Sequence, residues 1–194
     1  MQTKIIFTLF AVMLTASGFS QFKRFDSTVK IGKAGYRVIC SNKNPNKNDV
    51  SIKLIGFDNS TSGDVNLSLA GRIKKIEIDD FNNDGFPDLV AYVFSGENGE
   101  TGNVFSISSQ ENKGLKPVYF PDIRDDKKLS EGYKGYDDFY LLNGNLFRSF
   151  PVYKTGDTTV LPTGSKRVIQ YGVVPGEGGT LKFKAVRSFE EKKQ

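Results

Sequence analysis

The residues best placed to do chemistry are nine in a row, Asp80-Phe81-Asn82-Asn83-Asp84-Gly85-Phe86-Pro87-Asp88. Oxygen-bearing side chains stand at the first, third, fifth and ninth positions (Asp80, Asn82, Asp84, Asp88). Gly85 stands at the sixth, where a sharp turn is needed, and the carbonyl of Phe86 at the seventh can face inward. A hard cation takes several oxygens at about 2.3–2.6 Å, so this spacing makes the five residues candidate calcium ligands. Three carboxylates crowded without a cation repel one another, which favours metal. A metal-free turn is the alternative, because Asp and Asn readily accept from their own backbone N–H groups. The position that would carry a twelfth-place bidentate acid holds Ala91.

Other chemistries find less support. The chain contains no His, so the commonest general base and transition-metal ligand are missing. A hydrolase built on paired carboxylates needs an acid of raised pKa in a partly apolar cleft. The nine-residue turn is too rich in carboxylates for that, and no nucleophile elbow occurs, so an enzyme is not expected. Ser95 to Asn103, SGENGETGN, is glycine-rich but lacks the Lys-Ser/Thr ending of a phosphate loop. The formal net charge of +5 is spread along the chain, without a basic stripe interleaved with aromatics, which argues against nucleic-acid binding. The single cysteine, Cys40, excludes an internal disulfide and reads as a small buried hydrophobe, with a disulfide-linked dimer as the alternative.

These residues must be positioned by strands. Residues 1–20 have the plan of a secretory signal peptide, with Lys4, an apolar run from Ile5 to Ala16, and small residues before Gln21. The apolar run is short for a membrane span. Removing 20 of the 194 residues leaves 174, which suits one domain, placed at 21–189, with a charged tail at 190–194. From Gln21 onward the hydrophobic pattern alternates with period two and is broken by Gly, Asn and Pro turns. Leu89 to Phe94 is the most apolar run of the mature chain, and Asp138–Leu142, Asn143-Gly144 and Asn145–Phe150 form the clearest hairpin. No long amphipathic helix follows the signal peptide. The expected fold is all-β, an antiparallel β-sandwich of short strands. Asp125-Asp126 and Asp137-Asp138 read as acidic turn and strand-edge residues, Tyr133 and Tyr136 as packing under the strandless piece 121–137, and Phe147 to Phe150 as core alternation.

Two resemblances follow from particular segments. The acidic turn, with strands on both sides, resembles the calcium loops of integrin-type β-repeats, D-x-N-x-D-G-x-x-D followed by an apolar pair. It occurs in full only once, with a faint echo at 58–63, so a whole propeller is not expected. More of the chain resembles the periplasmic inhibitors of invertebrate-type lysozymes. The segments are DFNNDGFPDLV at 80–90, the SG-rich loop at 95–102, VYFPDI at 118–123, KLSEGYKGYDDFYLLNGNLFRSFPVYKTGD at 128–157 and PTGSKRVIQY at 162–171. This resemblance implies a β-sandwich, often paired as a homodimer, in the periplasm of a Gram-negative bacterium or secreted. Its partner would be a lysozyme-type glycoside hydrolase whose cleft is plugged by an SG-rich loop carrying Ser and Tyr; the alternative is a calcium-stabilised secreted β-domain that binds a surface protein or glycan without inhibiting lysozyme. Here that loop is Ser95, Gly96, Glu97, Asn98, Gly99, Glu100, Thr101 and Gly102. Thr101 stands where the family pattern has Tyr, and Glu100 where it has a Ser.

Overall fold

The computed structural model describes residues 23–58, 63–154, 162 and 164–192. The expected signal peptide, most of the echo at 58–63 and most of the loop 155–165 lie outside the described residues. The described chain is all-β: β1 (Phe25–Ile31), β2 (Ala34–Cys40), β3 (Asn48–Ile55), β4 (Val65–Leu69), β5 (Arg72–Asp79), β6 (Asp88–Ser95), β7 (Thr101–Ser109), β8 (Leu115–Tyr119), β9 (Asp138–Leu142), β10 (Asn145–Pro151), β11 (Ser165–Pro175) and β12 (Leu181–Lys192). No helix among the described residues is long and apolar enough to cross a membrane.

Strands β1 to β4 form a four-stranded antiparallel meander, and the rest form an eight-stranded sheet ordered β5-β6-β7-β8-β12-β11-β10-β9. The larger sheet is antiparallel except where β8 meets β12, a parallel pairing of only two residue pairs. It curls until β5 and β9 face each other, and there side chains replace the ladder. The Glu77 carboxylate accepts from Leu141 N at 3.1 Å, and Asp79 accepts from Gly144 N at 2.8 Å. Carboxylates on β5 thus satisfy edge N–H groups that would otherwise invite another strand.

Strand β6 explains the arrangement. Its residues Asp88 to Phe94 are all buried, so both faces must be covered. Val90, Tyr92 and Phe94 point into the core enclosed by the large sheet, with Phe120, Phe139, Phe150, Tyr171 and Phe183. Leu89, Ala91 and Val93 point the other way, into a second core against Tyr36, Val38, Val50 and Ile52 of the small sheet. Period-two alternation places the two sets on opposite faces. The apolar run Leu89–Phe94 is therefore the wall shared by two cores.

Asn42, with φ of 53°, couples the two sheets. Its side chain exchanges two bonds with one residue of β5, donating to Ile73 O at 2.8 Å and accepting from Ile73 N at 2.9 Å. The last hairpin is longer than the alternation suggests. β12 runs through Lys192, so Glu190 and Glu191, placed by the sequence in the charged tail, pair with Arg167 and Lys166 of β11.

Candidate functional site

The acidic turn links β5 to β6, and its oxygens face inward onto its own backbone. Asp80 Oδ1 accepts from Asp84 N at 3.0 Å and Oδ2 from Gly85 N at 2.8 Å. Asp84 Oδ1 accepts from Phe86 N at 3.0 Å, and its Oδ2 from Asn82 Nδ2 at 3.0 Å. Asp88, fully buried, closes the loop through Oδ2, which accepts from Phe81 N at 3.1 Å, and ties it to β7 through Oδ1, which accepts from Ser109 N at 2.7 Å. Burial pushes the Asp88 carboxyl up to about 7, against the pull of the Ser109 N–H and the Ser108 hydroxyl.

All six carboxylate oxygens of Asp80, Asp84 and Asp88 are thus engaged, and Asn82 directs its amide nitrogen at Asp84 and at Ser108 Oγ (2.7 Å). No group of three His, Cys, Asp or Glu residues among the described residues is arranged to hold a metal ion. The arrangement is that of a hydrogen-bonded turn, and Phe86, half-buried, completes it. A carboxylate or amide oxygen that accepts one N–H keeps a second lone pair, so calcium at Asp80, Asn82, Asp84, Phe86 and Asp88 stands as the spacing gives it, an expectation beside the hydrogen-bonded turn.

The glycine-rich stretch is shorter as a loop than it reads in sequence. Ser95 ends β6, and Thr101 and Gly102 begin β7, with Ser95 paired to Thr101 and Phe94 to Gly102. Only Gly96 to Glu100 leave the ladder. They close a tight turn, Gly99 N donating to Gly96 O at 3.1 Å, and Glu97 and Asn98 are the exposed tip. Glu100 does not reach outward. Its Oε1 accepts from Asn98 Nδ2 at 2.9 Å and Asn98 N at 3.3 Å. Hydrogen bonds from its own backbone N–H and from the Asn98 side chain hold the Glu100 carboxyl below its usual range.

The turn is braced on both flanks. On one, Arg72 at the start of β5 donates to Asn42 O at 3.1 Å and to Glu97 O at 3.3 Å, while Gly96 N donates to Asn46 Oδ1 at 3.4 Å. On the other, Tyr136 N donates to Glu100 O at 2.6 Å, and Gly102 N donates to Asp137 Oδ2 at 2.7 Å. Asp137 is paired with Arg148 Nε at 2.7 Å, the two side chains being 0% and 3% exposed. Tyr133 OH donates to Asp137 Oδ2 at 2.6 Å, and Arg148 Nη2 donates to Tyr133 OH at 2.9 Å and to Gly102 O at 3.3 Å. Burial works against the Arg148 charge, but the Asp137 carboxylate outweighs it and keeps the guanidinium's pKa raised. Gly102 has no room for a side chain, since a Cβ there would lie 2.6 Å from both Asp137 Cβ and Phe139 Cε2.

Sequence reasoning located the loop but missed its braces. Asp137, expected as a plain acidic turn or strand-edge residue, is the centre of a buried network. Arg148 carried a usable signal: on β10 it shares the inward phase with Leu146 and Phe150, and a charge in that phase needs a buried partner. Tyr133 packs as expected, edge-on to Phe150, whereas Tyr136 is 58% exposed.

The fold and the site together define a two-core β-protein that presents a short hairpin turn on a buried polar scaffold. No family model matches the chain, and no curated protein or solved structure matches it significantly.

Proposed function

We propose that the protein is an exported binding domain that inhibits a lysozyme-type glycoside hydrolase by seating the turn of loop 95–103 in the enzyme's cleft. The observation that carries this reading is the bracing of Gly96–Glu100 from both sides, by Arg72 and Asn46 on one and by the Asp137–Arg148–Tyr133 network on the other. Ordering a mobile loop costs affinity, so a turn already fixed by buried bonds is suited to entering a preformed cleft. A lysozyme cleft carries two catalytic carboxylates and polar groups that bind sugar. The carbonyl oxygen and second amide hydrogen of the Asn98 side chain, at the exposed tip, can satisfy such groups. Of the two loop carboxylates, Glu100 is folded back on Asn98, which leaves Glu97 as the outward charge and reduces repulsion by the cleft acids. Export to the periplasm or beyond follows from the signal-peptide pattern and from the resemblance to periplasmic inhibitors.

The test is direct. Mature protein is mixed with invertebrate-, chicken- and goose-type lysozymes and hydrolysis of cell walls is followed. Inhibition of one class with a Thr101→Tyr variant of altered potency supports the reading. Full activity of all three at micromolar inhibitor rejects it.

A further inference from the structure

Tyr136 stands beside the turn in a way that packing does not explain. It adopts φ of 62°, a left-handed conformation that is unfavourable for a bulky residue. Its side chain is 58% exposed, so burial does not compensate for the strain. The backbone around it is nonetheless fixed at each step. Gly135, with φ of 93°, lies so close to Glu100 that an added Cβ would meet Glu100 O at 2.4 Å. Tyr136 N donates to that same carbonyl at 2.6 Å, and the next residue, Asp137, is locked in its buried ion pair. Strain that the surroundings enforce at an exposed aromatic is a mark of function, because glycine would make the same backbone at lower cost.

Resting on the reading of the loop as a cleft-binding turn, we infer that Tyr136 is a second anchor of the docking surface, entering the partner's sugar-binding cleft alongside Glu97 and Asn98. A phenol suits that occupant. It offers a flat apolar face and one hydroxyl, the features by which a sugar ring is held in such a cleft, and it loses little rotamer freedom on binding. Tyrosines are among the residues that dominate interface energies, and the backbone that carries this one is already fixed.

The experiment compares the mature protein with Tyr136→Gly and Tyr136→Phe in melting temperature and in inhibition of the lysozyme panel. Glycine fits the left-handed backbone, so Tyr136→Gly should melt no lower than the parent while its inhibition constant rises by roughly tenfold or more. Tyr136→Phe should fall between the two. Inhibition by the parent with equal inhibition by Tyr136→Gly overturns the role of Tyr136 and leaves the loop reading standing. A lowered melting temperature for Tyr136→Gly shows that the side chain serves the fold and also overturns it. Absence of inhibition by the parent rejects both readings together.

Discussion

The buried pair of Asp137 and Arg148 gives the sharpest test of how the loop is held. Replacing Asp137 by Asn keeps an oxygen that can accept from Gly102 N but removes the charge facing Arg148 Nε at 2.7 Å. Breaking a buried ion pair from one side costs about 3–5 kcal/mol, because the remaining charge is left desolvated. Arg148 would retain Tyr133 OH at 2.9 Å, Gly102 O at 3.3 Å and the rings of Tyr133, Phe139 and Phe120 at 5.0, 5.5 and 5.9 Å. These contacts place the cost near the lower end, about 3 kcal/mol. For a domain of this size, 1 kcal/mol moves the melting temperature by roughly 2–4 °C, so Asp137→Asn should melt about 6–12 °C lower. Adding Arg148→Met removes the orphaned charge, so the double variant should melt above Asp137→Asn alone. The assay is thermal unfolding of the two single variants and the double variant as a cycle. An Asp137→Asn protein melting within roughly 2 °C of the parent, or strictly additive losses in the cycle, would refute the argument.

Three further outcomes are expected. Asn42→Ala leaves the N–H and C=O of Ile73 without their side-chain partners and should cost about 2–4 kcal/mol, read as a lower midpoint in urea. Calcium held by the acidic turn should raise the melting temperature at millimolar concentration by mass action, and an unchanged melting temperature would reject the metal site. A rise that Asp84→Ala abolishes would place the ion in the turn. Arg167 donates to Glu190 Oε1 at 2.6 Å and holds that carboxyl below its usual range. The depressed pKa contributes stability above pH 4.5 that is lost as pH falls through the folded value, so Glu190→Gln should flatten the stability curve below about pH 4.5 by at most a few tenths of a kcal/mol.

Much of the fold is legible because hydrophobic alternation has only one period here. The Asn143-Gly144 turn, with φ of 50° and 71°, sits where the dipeptide placed it. The run Leu89–Phe94 stands out as the most apolar of the mature chain, although nothing in it shows that two separate cores cover its two faces. What remained hidden depends on partners far apart in sequence. Strand β8 meets β12 in parallel across more than sixty residues, which no local pattern encodes. Asp137 resembles its exposed neighbour Asp138 until the fold brings Arg148 to it. The acidic turn reads as a cation site because spacing sets which residues share a loop; what spacing does not encode is that Asp80 and Asp84 also accept from the backbone N–H groups of the turn.

The central claim concerns the turn Gly96–Glu100. The most direct measurement is titration of the mature protein and of a Glu97→Ala/Asn98→Ala variant, which removes both exposed tip side chains and the Asn98 amide's bond to Glu100, into lysozymes of the three types while cell-wall hydrolysis is recorded. The account predicts saturable inhibition of at least one type by the parent and a loss of roughly tenfold or more in the variant. Undiminished inhibition by the variant, or full hydrolysis in the presence of the parent, would contradict it.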